Sequence, residues 1–72
     1  REFAEEGKVV VDIWVDKKGR VTRAEIGKGT TVTDSNMRES ARQAAISSLF
    51  VEDKDASDIQ KGTITYTFII RQ

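Results

Sequence analysis

KVVVDIWVD, Lys8 to Asp16, decides the fold. The run is β-branched and aromatic, and its odd positions Val9, Val11, Ile13 and Val15 line one apolar face. The opposite face carries Val10, Asp12 and Trp14, which suits an antiparallel strand with one side on a core and the other nearer water. Three consecutive valines, Val9 to Val11, point to a central strand. Asp16-Lys17-Lys18-Gly19 then makes a polar turn, with Gly19 at the left-handed position, and Arg20 to Ile26 returns as the second arm of a hairpin. The returning arm loses phase: Val21 falls on one alternation, Ala24 and Ile26 on the other. Either a bulge near Thr22 or Arg23, or a strand that starts only after Val21, accounts for this.

Downstream, Gly27 to Thr31 reads as a loop. Asp34 to Leu49 changes period: Met37, Ala41, Ala44, Ala45, Ser48 and Leu49 form a helical stripe. Its start offers Asp34 as a cap, or Asn36 with Glu39 three residues on. The polar stretch from Glu52 to Asp58 is a solvated loop tethered by Ile59. Gly62 opens a final strand, GTITYTFIIR, with Ile64, Tyr66, Phe68 and Ile70 on one face and Thr63, Thr65, Thr67 and Ile69 on the other. The order β-β-α-β gives an α+β fold, one helix packed on one face of a three-stranded antiparallel sheet.

Composition narrows the chemistry. The 72 residues allow one domain, near the lower limit for independent folding. Absence of cysteine and histidine excludes disulfides, makes structural zinc unfavourable and rules out Ser-His-Asp or Cys-His catalysis. Twelve basic against twelve acidic side chains leave no broad electrostatic case for nucleic acid. No apolar run approaches the ~20 residues of a membrane span. The opening REFAEEG lacks an initiator methionine and any signal-peptide core, so residues 1–6 read as a tail or linker remnant of a longer protein, and residues 7–72 as the domain.

Candidate motifs are weak. Gly27-Lys28-Gly29-Thr30 fails the Walker spacing, and Val32 stands where a dinucleotide fingerprint needs glycine. Asp53, Asp55 and Asp58 lack the glycine and glutamate of a calcium loop. Glu25 and Glu39 have no apolar pocket to raise a pKa. No catalytic, cofactor or metal residue is assigned, and the chain is not expected to be an enzyme. Trp14, on the less apolar face of the first strand, reads as partly packed, with an aromatic contact for a partner as the alternative.

Taken together, Gly7 to Val21 (GKVVVDIWVDKKGRV), the apolar Ala24 and Ile26, the alanine-rich helix closing on Phe50, and Gly62 with Ile64, Tyr66 and Phe68 resemble the TonB C-terminal domain family. The likeness runs from Gly7 to Ile70. The chain departs from the family in lacking its upstream Tyr-Pro and the proline after the helix-closing aromatic, and in having Ser48 where a bulky aromatic is frequent. The resemblance implies a sheet of order 2-1-3 with the last strand at an edge. It implies a periplasmic domain of a Gram-negative energy transducer, whose parent is anchored in the inner membrane and works with inner-membrane motor proteins. Its partners would be the TonB boxes of outer-membrane transporters, bound by strand addition to Thr63, Ile64, Thr65, Tyr66, Thr67, Phe68, Ile69 and Ile70. Family members can also dimerise by strand exchange. The alternative is therefore a periplasmic assembly module that self-associates through this edge as a homodimer without transducing energy.

Overall fold

The computed structural model describes residues 5–71. Four elements follow in the order β1 (Gly7–Asp16), β2 (Val21–Ile26), α1 (Ser35–Ile46) and β3 (Ile59–Phe68). The sheet is antiparallel with strand order β2-β1-β3, as expected. Odd-numbered β1 residues face the helix: Val9, Val11 and Ile13 are buried with Ala24, Val32, Ala41 and Ala45.

The hairpin closes through Asp16 and Gly19. The Asp16 carboxylate accepts from the backbone N–H of Lys18 and Arg20, each at 2.9 Å, and from Arg20 Nε at 3.1 Å. Gly19 adopts φ +84°, and a Cβ there would stand 1.9 Å from the Phe50 carbonyl oxygen. Glycine is therefore needed twice over, for the turn and for the chain crossing behind it. The phase loss in β2 is a bulge. Trp14 pairs with Arg23 and Val15 with Val21, so Thr22 is the extra residue and Val21 returns to the core side.

Asp34 is the N-cap of α1, its Oδ2 accepting from Met37 N–H at 2.8 Å; the Asn36 alternative is not used. The helix ends at Ile46, before the expected Leu49, and Ser47 and Ser48 donate their backbone N–H groups to Gln43 and Ala45 carbonyls. Leu49 is 77% exposed and bridges to Arg20 instead. Only Met37, Ala41 and Ala45 of the expected stripe face the core, while Ala44 is exposed. Small side chains at Ala41 and Ala45 let the helix approach the sheet, where it lies over β2 and β1 and hardly touches β3.

β3 also shifts from its expected bounds. It begins at Ile59 rather than Gly62 and ends at Phe68, leaving Ile69 and Ile70 beyond the ladder and exposed. Residues 1–4 of the expected tail lie outside the described residues. Glu5 and Glu6 are bonded to the domain: the Glu5 carboxylate accepts from the N–H groups of Thr33 and Asp34 at 2.9 and 3.0 Å, and Glu6 Oε1 from Ile70 N–H at 3.2 Å.

Candidate functional site: the outer edge of β3

Which side of each strand offers its backbone follows from a few hydrogen bonds. Val10 carbonyl accepts from Gly27 N–H, Val10 N–H donates to Thr30 Oγ1, and Lys8 carbonyl accepts from Thr31 and Val32. Even-numbered β1 residues thus turn their backbone groups toward β2 and the loop after it. In an antiparallel ladder the bonded residues alternate, so the odd ones bond to β3. The register pairs Val9 with Tyr66, Val11 with Ile64 and Ile13 with Gly62. Tyr66, Ile64 and Gly62 consequently spend their backbone groups on β1. Thr63, Thr65 and Thr67 turn theirs outward from the sheet.

The two sheet edges differ in availability. β2 has six residues, carries the Thr22 bulge, and its Ala24 carbonyl accepts from Arg42 Nη1 at 3.5 Å. Such features blunt an edge. β3 has ten residues and pairs with β1 from Gly7–Phe68 to Asp16–Ile59 without a register shift. Its helix-side residues Ile64, Tyr66 and Phe68 touch the core but remain half-buried. An unbroken outward backbone thus borders an apolar flank that α1 leaves largely uncovered.

Trp14 lies on the opposite face of the sheet, half-buried. Arg23 and Lys61, its neighbours across β2 and β3, bring their cationic groups to 4.4 and 5.2 Å from the ring centroid. A cation over the ring on this scale contributes ~0.5–1 kcal/mol at an exposed site. The cations explain why a tryptophan tolerates the outer face, a relation the sequence did not disclose because it depends on cross-strand register. Trp14 lines neither of the two cavities that border β3.

The weaker motifs are absorbed by structure. Thr30 Oγ1 and Thr31 Oγ1 bond to Val10 and Lys8 of β1, so the Gly27–Thr31 loop seals that side of the sheet. Glu25 is held by Arg23. Glu39 is held by Arg42 Nε and Nη2 at 3.0 and 2.9 Å, with Gln43 Nε2 at 2.8 Å. The Arg42 hydrogen bonds, then that from Gln43, hold the Glu39 carboxyl down to about 2. A charged carboxylate of this kind accepts hydrogen bonds and is a poor proton donor near neutrality. Asp53 caps Asp55 N–H, Asp58 pairs with Lys17, and no group of metal-ligating side chains gathers among the described residues.

Val32 is the buried residue that sequence reasoning missed. It is fully enclosed between β1 and α1, with Arg38 Nε donating to its carbonyl at 2.7 Å. A lone valine among threonines has no periodicity to betray it; its apolar side chain was the sole signal. Comparison of the chain with protein-family models, curated proteins and solved structures found no match.

Proposed function

We propose that this chain is a peptide-capturing domain that binds an extended segment of a partner protein as a fourth strand on β3. The observation that carries the reading is the regular outer edge at Thr63, Thr65 and Thr67, beside the half-buried Ile64, Tyr66 and Phe68. Main-chain hydrogen bonds would supply affinity, and covering the apolar flank would add to it. The resemblance to the TonB C-terminal family supplies the finer proposal. The domain works in the periplasm as part of an anchored energy transducer, its ligand is the TonB box of an outer-membrane transporter, and motor proteins act on the remainder of the parent. Titrating isotope-labelled domain with TonB-box peptides is expected to move the amide signals of Thr63, Thr65 and Thr67 first. Shifts confined to β2 or α1 would contradict strand addition at β3.

A second reading has its own support. Ile69 and Val51 are 65% and 90% exposed at opposite ends of β3, a surface that a second copy could cover by pairing β3 with β3. In that case the domain is an assembly module. Sedimentation across a range of concentrations separates the two readings, since a monomer at the highest concentration contradicts self-pairing.

A further inference from the structure

Gly62 is the one helix-side position of β3 between Gln60 and Phe68 that has no side chain. Its partner across the ladder is Ile13. The gap leaves a cavity of about 230 Å³ floored by Ile13 and Val15, with Gly62 on the β3 side and Phe50, Val51 and Ala56 forming the wall across it. The wall is set by the chain crossing behind the hairpin: Phe50 N–H donates to Gly19 carbonyl at 2.8 Å and Asp53 N–H to Lys17 carbonyl at 3.0 Å. An apolar cavity of about 150 Å³ is enough to hold a benzene ring.

We infer that this notch is a specificity subsite that takes one large apolar side chain, leucine or phenylalanine, from a strand added to β3. The inference rests on the strand-addition reading above and names what that site selects. An extended occupant follows from the backbone: Thr63, immediately beside the notch, turns its N–H and carbonyl outward. A strand laid along this edge alternates its side chains in step with β3, so one of them stands beside Gly62 on the helix side. Gly62 bonds to β1, so toward an added antiparallel strand it forms a non-hydrogen-bonded pair, the type with the closest side chains. Large side chains, aromatic ones above all, fold over a glycine on the neighbouring strand and restore the burial that the glycine lacks. Asp16, Asp53, Gln60 and Lys61 also line the notch, and its apolar part selects by size: Phe50 and Val51 are 44% and 90% exposed and gain cover when a large apolar side chain fills it.

The test uses blocked eight-residue peptides of alternating threonine and valine, with one central valine replaced by alanine, leucine or phenylalanine. For the wild-type domain the phenylalanine and leucine peptides are expected to bind about tenfold more tightly than the alanine peptide, from the apolar area removed from water. Gly62→Val fills the notch. A Cβ at Gly62 meets only Ile13, at 3.7 Å, an ordinary contact, so the variant is compatible with the fold. It is expected to erase the preference, so that the three peptides bind within about twofold of one another. Val51→Glu, at a largely exposed position, is expected to weaken the preference in the same direction. Equal affinities for all three peptides, with Thr63 to Thr67 amides still shifting, would overturn the notch and leave strand addition standing. No shift with any peptide would overturn both. Dimerisation of the free domain that Gly62→Val abolishes would assign the notch to a second copy and overturn the peptide assignment.

Discussion

At the scale of single residues, the positions that fix the fold are those with no spare conformational freedom. Gly19 combines φ +84° with a carbonyl oxygen where its Cβ would be. The left-handed conformation alone costs an L-residue ~1–2 kcal/mol, and the backbone clash adds to that. Gly19→Ala is therefore expected to destabilise the domain by at least about 2 kcal/mol in chemical denaturation. The Glu39 carboxyl titrates at about 2, below its ordinary 4.5, because Arg42 and Gln43 bond to its charged form. A depressed carboxyl pKa contributes stability that is present above the unfolded value and lost as pH falls through the folded one. Wild type is thus expected to lose stability between pH 4.5 and about 2 more steeply than Glu39→Gln, a difference measurable by denaturation at several pH values. Glu5 works in the same direction, lowered chiefly by the Thr33 N–H.

At the scale of elements, the legible parts were those in which side-chain alternation and burial agree. β1 is covered by α1 on one face and by the Gly27–Thr31 loop at Val10, and its run of three valines reflects that double cover. The phase loss in β2 pointed to a bulge and left its residue open; pairing assigns it to Thr22. The start of β3 was hidden, because Ile59 to Lys61 lie beyond the helix and are exposed on both sides, so no burial pattern marks them. The end of α1 was overrun because Ser48 and Leu49 continued its period, while the chain there is drawn off toward Gly19 and Arg20. The threonine alternation of β3 marked a strand, and its place at an edge was expected from the family resemblance alone. Which threonine backbones face outward could not be read, since that depends on the hydrogen-bond phase of β1. Helix capping gives a direct test at this scale: Asp34→Ala removes the acceptor for Met37 N–H and is expected to cost ~0.5–2 kcal/mol.

For the whole molecule, the notable property is how little covers so long a sheet. Among the described residues, the largest fully buried side chains are three valines, Val9, Val11 and Val32. The radius of gyration is 13.7 Å, against roughly 11 Å for a compact chain of this size. The domain measures 46 × 20 × 17 Å, elongated rather than spherical, with β3 as its half-covered flank. A small domain with a thin core has a modest stability margin, and a bound strand would extend its core across that flank. Saturating ligand at 100 times Kd adds about 2.7 kcal/mol. Thermal melts with such an excess of a binding peptide are expected to rise by roughly 10–20 °C. An unchanged Tm under those conditions would mean that the peptide does not favour the folded state.

The central claim is that the outward backbone of β3 is the binding surface, and one substitution isolates it. Thr65 turns its N–H away from β1, so proline there removes an edge donor without breaking the ladder within the domain, a position where strands tolerate proline. Ile64→Pro, by contrast, removes an N–H bonded to β1 and is expected to unfold the strand. The deciding measurement is the affinity of folded Thr65→Pro for a TonB-box peptide relative to wild type. A loss of about tenfold or more is expected, from one missing hydrogen bond and the ring that blocks the edge. Wild-type affinity in a correctly folded Thr65→Pro domain would contradict the claim.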